Sequence, residues 1–288
     1  MNKTLTIGSL DVLCVTDGVL KSSIDFVLGL EREDAMRISG AEPDGALRIP
    51  VNNFVFRRDD ATILIDAGAG DTMQPTLGRL PASLREAGVN PASITHVVLT
   101  HLHPDHANGL VDAEGRAVYE NAEIVVHETE LAFWMRENDG SEVESVLRMR
   151  ARNRINLAPY MSRLRTMRDG ESFLGCTPVL APGHSPGHTC WIVETGAKPM
   201  VAWGDLVHFS TIQIEHPTIA VKYDLDADEA RASRLAMLDR VAREGLVVCG
   251  AHVSAPGIGR ITRDGEGFRF APLASPEQGH EKRRGSAE

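Results

Sequence analysis

The residues from Thr100 to Asn108 read Thr-His-Leu-His-Pro-Asp-His-Ala-Asn, with three histidines and an aspartate between His101 and His106. Imidazole nitrogens and carboxylate oxygens are the usual protein ligands of zinc and of other borderline divalent ions. The apolar run Val97-Val98-Leu99 leads directly into this cluster. The ligands are therefore expected in a loop at the carboxyl end of a buried strand. Three further stretches repeat the layout of an apolar strand followed by a glycine-containing turn with one ligand-type residue. They are Val179-Leu180-Ala181-Pro182-Gly183-His184, Val201-Ala202-Trp203-Gly204-Asp205 and Val247-Val248-Cys249-Gly250-Ala251-His252. If these strands lie side by side, their ends converge on one rigid site.

The candidate metal ligands are thus His101, His103, Asp105, His106, His184, Asp205 and His252. Such a set exceeds the shell of one tetrahedral zinc and suits two ions. The natural partition gives His101, His103 and His184 to one ion and Asp105, His106 and His252 to the other, with Asp205 bridging. Two divalent ions per chain are expected, Zn2+ first, with Mn2+, Co2+ or Fe2+ compatible with the same donors. Bound water can have its pKa lowered to about 7, which supplies a bridging hydroxide to attack a carbonyl or phosphorus centre. The catalytic candidates are Asp105, able to take up and return a proton, the bridging Asp205, and His208, which is either an ordinary turn residue or a pocket-wall group that hydrogen-bonds a substrate oxygen.

Other histidines compete for notice. His188, four residues after His184, is better suited to supporting a ligand than to being one. His96, His127, His216 and His280 read as structural or exposed. Asp66 follows a strand and is a candidate partner for the second nitrogen of a ligand histidine.

The run His101-x-His103-x-Asp105-His106, followed by Gly183-His184, Gly204-Asp205 and the late His252, resembles the metallo-β-lactamase superfamily across about residues 50–272. That resemblance implies an α/β protein, an αβ/βα four-layer sandwich of two mixed sheets packed face to face. Within the superfamily, Gly204-Asp205-Leu206-Val207-His208 and His252-Val253-Ser254-Ala255-Pro256-Gly257-Ile258-Gly259 look most like methyl parathion hydrolases and related lactonases. Gly267-Phe268-Arg269-Phe270 and Phe133-Trp134 point the same way. The implied function is opening of lactones or cleavage of small neutral esters, with organophosphate triesters as a further substrate class. Phe133, Trp134, Leu206 and His208 are the implied pocket residues, although Phe133 and Trp134 read by themselves as helix core, and relatives of this kind suggest a homodimer.

Two departures bear on mechanism. Many acyl-homoserine lactonases of this superfamily carry a tyrosine three residues after the bridging aspartate, where this chain has His208. Flavodiiron relatives use glutamate where this chain has His103. The competing readings are a mononuclear iron enzyme resembling persulfide dioxygenases, a glyoxalase II-like thioesterase and a β-lactamase.

The elements that must position these residues are legible in outline. Leu5–Ile7 and Val12–Val15 read as short strands with Asp11 in the turn, and residues 52–58 and 61–66 as a hairpin. Helices are expected over 77–87, 128–136 and 141–153, with Asp139-Gly140 separating the last two. Asp226 to Glu244 is the clearest helix. It has Asp226 and Glu229 as a capping box, Gly245 beyond its end, and Leu235, Leu238, Val241 and Ala242 as its buried stripe. Residues 17–48 are mixed and read as a flap or surface insertion, with a short helix near Glu31–Arg37. One domain over 1–273 is expected, with 274–288 a polar, disordered tail.

Composition narrows the partners. Thirty basic against forty acidic residues leave a net charge of -10, which disfavours nucleic acid. The four cysteines are widely spaced and lie in or beside apolar segments, as expected of reduced, buried thiols. The first residues lack a signal-like apolar region and no run is long enough to span a bilayer. The expectation is a cytoplasmic protein without a membrane partner.

Overall fold

The computed structural model describes residues 3–137, 140 and 143–273. In chain order, β1 (Lys3–Ile7), β2 (Leu10–Ser23), β3 (Val27–Leu28), α1 (Arg32–Ser39), β4 (Ala46–Arg58) and β5 (Ala61–Ile65) come first. Helix α2 (Leu80–Glu86), β6 (His96–Val98), α3 (Pro104–Ala107), β7 (Glu123–His127), α4 (Glu128–Met135), α5 (Glu144–Leu157) and β8 (Leu164–Met167) follow. The second half holds β9 (Cys176–Leu180), β10 (Thr189–Val193), β11 (Met200–Ala202), α6 (Ser210–Gln213) and β12 (Ala220–Val221). Helix α7 (Ala227–Glu244), β13 (Val247–Cys249), β14 (Ile258–Asp264) and β15 (Gly267–Pro272) complete it.

Two mixed sheets result, in the orders β1-β2-β4-β5-β6-β7-β8 and β15-β14-β13-β11-β10-β9, with β12 and β3 paired separately. Strand periodicity decides which side chains face which layer. Ile63 and Ile65 of β5 point into the core between the sheets, whereas Leu64 packs on the helical side with Leu80 and Leu84 of α2. In the second sheet Val247 and Cys249 face inward and Val248 packs outward with Leu238 and Val241 of α7. The layers are therefore helix, sheet, sheet, helix, as the α/β sandwich reading requires. All four cysteines are free and buried, and burial pushes the Cys14, Cys176 and Cys190 thiols up to about 12. Among the described residues no helix is long and apolar enough to cross a membrane.

Several boundaries differ from expectation for local reasons. The first turn falls at Gly8, whose φ of 61° suits a left-handed turn, and not at Asp11. Asp11 instead pairs with Thr6 across the two strands. Strand β2 continues to Ser23 and pairs with the first half of β4, so the start of the 17–48 segment is sheet, with a bulge between Thr16 and Gly18. Its helix is α1, and Gly40 ends it in the left-handed region. Strand β8 went unread because its sequence, Leu-Arg-Thr-Met, carries too little apolar alternation. Asp139 and the tail 274–288 lie outside the described residues.

Asp226 caps α7 as expected, accepting from the backbone of Asp228 and Glu229. The reciprocal half of the capping box is replaced, since the Asp226 amide donates to Gly183 O at 2.8 Å. The buried stripe is Ala230, Arg234, Met237, Leu238 and Val241, with Leu235 and Ala242 only partly covered. The helix thus turns a buried arginine toward the chain end of β11, where Arg234 donates to Leu206 O, Pro217 O and Ile219 O. Asp226→Ala is expected to lower unfolding free energy by about 1 kcal/mol, measured by urea denaturation, through loss of these cap bonds.

Candidate metal centre

The site forms where strand ends from both sheets meet. Leu99-Thr100-His101 leaves β6, and α3 begins immediately with His103 as its first flanking residue and Pro104 in its first turn. This one-turn helix presents Asp105 and His106 on the same side as His101. His184 follows β9, Asp205 follows β11 and His252 follows β13. Hydrogen bonds lock the two sheets together here. Trp191 Nε1 donates to Leu99 O at 3.0 Å, Thr189 N to Thr100 O at 2.9 Å, and Asn52 Nδ2 to Val253 O at 2.8 Å.

All seven nominated ligands are buried and brought together. They fall into two groups, His101 with His103 and His184, and Asp105 with His106, Asp205 and His252. In the first group His103 Nδ1 lies 2.7 Å from His184 Nε2, which lies 3.2 Å from His101 Nε2. Asp205 stands between the groups. Its Oδ2 is 3.3 Å from His184 Nε2 and 3.7 Å from His101 Nε2. Its Oδ1 is 2.8 Å from His106 Nε2 and 3.0 Å from His252 Nε2. Asp105 Oδ2 approaches the same two nitrogens at 3.6 and 3.5 Å.

Of these approaches, those onto Asp205 Oδ1 are not hydrogen bonds. His106 Nε2, His252 Nε2 and Asp205 Oδ1 are buried and lack a hydrogen-bond partner. Buried polar atoms left so are costly, and imidazole nitrogens and carboxylate oxygens converging in this way fit a pair of cations. The chemistry of the set, imidazole and carboxylate, agrees. Charge perturbation follows from the same crowding. Burial and the neighbouring imidazoles hold His103 well below the usual histidine range. Burial presses His106 down too, but the Asp205, Asp105 and Asp66 carboxylates outweigh it and raise it.

The opposite nitrogens are held from behind. His106 Nδ1 meets Asp66 Oδ2 at 2.8 Å, His184 Nδ1 meets Asp224 Oδ1 at 3.0 Å, and His252 Nδ1 meets Pro50 O at 2.8 Å. Such partners fix the ring orientation and the tautomer. Asp66 also accepts from Thr100 N at 2.8 Å, which ties the end of β5 to the end of β6. His188 does not join the ligands. Its Nε2 accepts from Asp205 N at 3.0 Å and its Nδ1 donates to Ala181 O. Burial lowers it to about 3, so it stays a neutral acceptor beneath Asp205.

Three contributors escaped the sequence. Asp224 sits in a loop far from any motif. Glu130 of α4 is fully buried and accepts from Leu102 N, Ser185 Oγ, Gly187 N and Trp134 Nε1. It therefore clamps the loop of His103 to the loop of His184, and burial raises its carboxyl above the ordinary range. Tyr223 stacks on His208 at 5.2 Å between ring centres and meets Ser22 Oγ at 2.6 Å.

A cavity of about 630 Å³ opens above the two groups, with His103, Asp105, His184, Asp205 and His208 on its floor. Of the nominated pocket residues only His208 lines it. Trp134 is fully buried beneath His103, 5.4 Å between ring centres, and Phe133 packs against Trp134 and under the Arg136 and Arg150 guanidinium groups. Leu206 points into the core shared with α7. The walls come instead from the 17–48 segment, through Leu20, Ser22 and Phe26, and from Tyr223 and Leu225. Leu20 and Ser22 enter the wall from strand β2, and Phe26 from the single turn that follows it.

Residues 47–252 match the model of the metallo-beta-lactamase superfamily. The chain belongs to this superfamily. Among curated relatives, N-acyl homoserine lactonase AiiB of Agrobacterium fabrum is 34% identical over 102 residues, covering 29% of this chain and 35% of that protein. The N-acyl homoserine lactonase of Bacillus thuringiensis is 23% identical over 54% of this chain and 63% of its own length. The chain thus spans about a third to under two thirds of the curated relatives it matches. Solved structures cover more of it. A hydrolase of the beta lactamase superfamily, AbOPH, superposes with a TM-score of 0.91 at 25% identity over 96% of this chain and 98% of that one. AidC, a dizinc quorum-quenching lactonase in complex with its product, gives 0.87 at 27% identity over 95% and 97%.

Asp224→Asn removes the carboxylate behind His184 while keeping its volume. It is expected to weaken metal affinity about 10- to 100-fold, measured by competition with a chromogenic chelator, with a smaller change in the melting of the metal-free protein.

Proposed function

We propose that this superfamily member is a dinuclear metal hydrolase that opens lactones or cleaves related neutral esters. The observation that carries the reading is Asp205, with one oxygen turned to each of two histidine groups at the floor of the cavity. Both ions are proposed to be zinc, held by His101, His103 and His184 on one side and Asp105, His106 and His252 on the other. When bound, such a pair supplies activated water and a Lewis acid for the oxygen that gains charge. The likeness to AidC and to the lactonases of Agrobacterium and Bacillus supports the lactone class, and the likeness to AbOPH supports a hydrolytic reaction.

The protein's own residues then divide the work. Asp105 sits at the cavity floor with an oxygen near His106 and His252, where it can hold a proton and return it to the leaving alkoxide. His208 has both ring nitrogens buried and without hydrogen bonds, and it faces the cavity beside Asp205. It occupies the place of the tyrosine that many lactonases carry, and it is the group proposed to hydrogen-bond the substrate carbonyl. Tyr223, stacked on His208, holds that ring in place. Leu20, Phe26, Met149 and Leu225 give the cavity apolar walls for an acyl chain. A one-iron oxygenase would leave Asp105, His106 and His252 as buried groups without a role, and this favours the two-metal reading. Organophosphate triesters ask for the same attack and leaving-group stabilisation, so they are proposed as a second substrate class.

Zinc-loaded protein is expected to hydrolyse at least one member of a panel of γ- and δ-lactones, acyl-homoserine lactones, aryl esters and methyl parathion. A chelator should abolish that activity and added Zn2+, Mn2+ or Co2+ restore it; turnover unaffected by complete metal removal would overturn the proposal. Asp105→Asn should lower kcat about 100-fold or more, and His208→Phe should lower kcat with the metal content unchanged, both read by steady-state kinetics with metal analysis.

A further inference from the structure

Beside the metal-site cavity lies a second one of about 300 Å³, and Met73, Pro104 and Met149 line both. The two spaces therefore adjoin across these three residues, on the far side of the metal-binding loop, where Leu102 and Pro104 flank His103. The chemistry of the side cavity differs from that of the main one. Past the apolar boundary stand Arg148 and Arg152 of α5.

Arg152 is the telling group. Its Nε and Nη2 atoms are buried and make no hydrogen bond, and it has no ion pair among the described residues. Neighbouring amide side chains bond to other groups and none to Arg152. Asn108 donates to Thr72 Oγ1 at 2.7 Å and accepts from Asn156, while Asn153 donates to Leu102 O at 2.9 Å. Among the described residues no acidic side chain lines this cavity. Arg148 stands four positions before Arg152 on the same helical face, so like charges are set side by side, which by itself is unfavourable. Among the described residues the acidic partner of Arg148 is the exposed Glu144, at 3.4 Å. Guanidinium nitrogens buried without a partner are costly, and the fork they belong to matches a carboxylate. The chain as a whole carries a net charge of -10, so this basic pocket runs against the background.

We infer that the side cavity is a recognition subsite for a carboxylate borne by the substrate. The shared Met73, Pro104 and Met149 form an apolar throat for a short methylene chain, and Arg152, with Arg148 beside it, receives the acid at its end. The substrate class becomes an ester or lactone whose acyl portion ends in a carboxylate. This assignment rests on the hydrolytic reading only for what lies at the metals; the subsite itself stands on Arg152 and the adjoining cavities.

The test is a binding measurement on the zinc-loaded protein, so it is independent of turnover. Calorimetric titrations compare dicarboxylates from glutarate to azelate with monocarboxylates of equal chain length. One carboxylate of each pair represents the acid released at the metals; the second probes the side cavity. At least one dicarboxylate is expected to bind about 10-fold or more tightly than its monocarboxylate, the range of a charged hydrogen-bonded contact. Arg152→Met should abolish the difference while leaving monocarboxylate affinity unchanged, and Arg152→Lys should retain part of it. Equal affinity across every pair in the unmodified protein would overturn the inference, even if Arg152→Met failed to fold. So would an Arg152→Met protein that weakens both classes equally. Inorganic phosphate provides the remaining arm. If it binds in an Arg152-dependent manner and is not displaced by the dicarboxylate, the cavity takes a free anion and the substrate assignment is wrong. A protein that passes the binding test but hydrolyses no ester or lactone would instead count against the proposed reaction.

Discussion

The constraint on which the site depends is a carboxylate held between two sets of imidazoles. Asp205 directs one oxygen to His101 and His184 and the other to His106 and His252. In a buried setting each of these groups would pay heavily for its lost hydration without a partner of opposite charge. A pair of cations resolves the whole set at once. The bridging position also explains why Asp205 is itself so firmly seated, with His188 accepting from its amide and the turn at Gly204 kept free of a side chain. A Cβ on Gly204 would come within 2.8 Å of His188 Nε2 and of Thr100.

The surrounding fold can be understood as the apparatus that keeps those ligands from moving apart. Each ligand sits just past a short strand whose alternating side chains are packed on both faces, so the strand ends are rigid. The second layer of contacts then crosses between strands that are distant in sequence. Asp66 links β5 to the β6 loop, Glu130 joins the loops of His103 and His184, and Asn52 joins β4 to the β13 loop. None of these residues needs to touch a metal. Their effect is to fix ring orientation and loop spacing, and in metal sites such outer contacts control affinity strongly.

The cavity shows a different division of labour. Its floor is built from the ligand loops, but its walls come from the long β2 strand, from Phe26 and from the segment of Tyr223 to Leu225. These wall segments are bound together by the Tyr223–Ser22 hydrogen bond and by the stacked rings of Phe26 and Tyr223, 4.8 Å apart. Chemistry and selectivity are thus carried by separate parts of the chain. Wall residues can therefore vary without disturbing the histidine and aspartate groups of the floor, a separation common to folds that host many functions.

Ligand chemistry was legible in the chain because it is local. Four ligands fall within six residues, and His184, Asp205 and His252 each follow an apolar run and a glycine, so residue type and position along a strand sufficed to nominate them. Sandwich architecture was implied by the family resemblance; the short apolar runs of β5, β6, β7 and β13 marked buried strands, and only the fold assigns their side chains to layers. Tertiary structure alone decided the rest. Asp224 and Glu130 act through hydrogen bonds to residues 40 and up to 57 positions away, and no local pattern marks such a partner. Phe133 and Trp134 suit either helix core or pocket wall by composition, and the course of α4 decides it by burying Trp134 under His103. Strand β2 turned a mixed stretch into a wall because its pairing with β4 outweighs its weak local pattern. Which carboxylate orients a ring, and which aromatic faces solvent or core, depends on how separate elements meet.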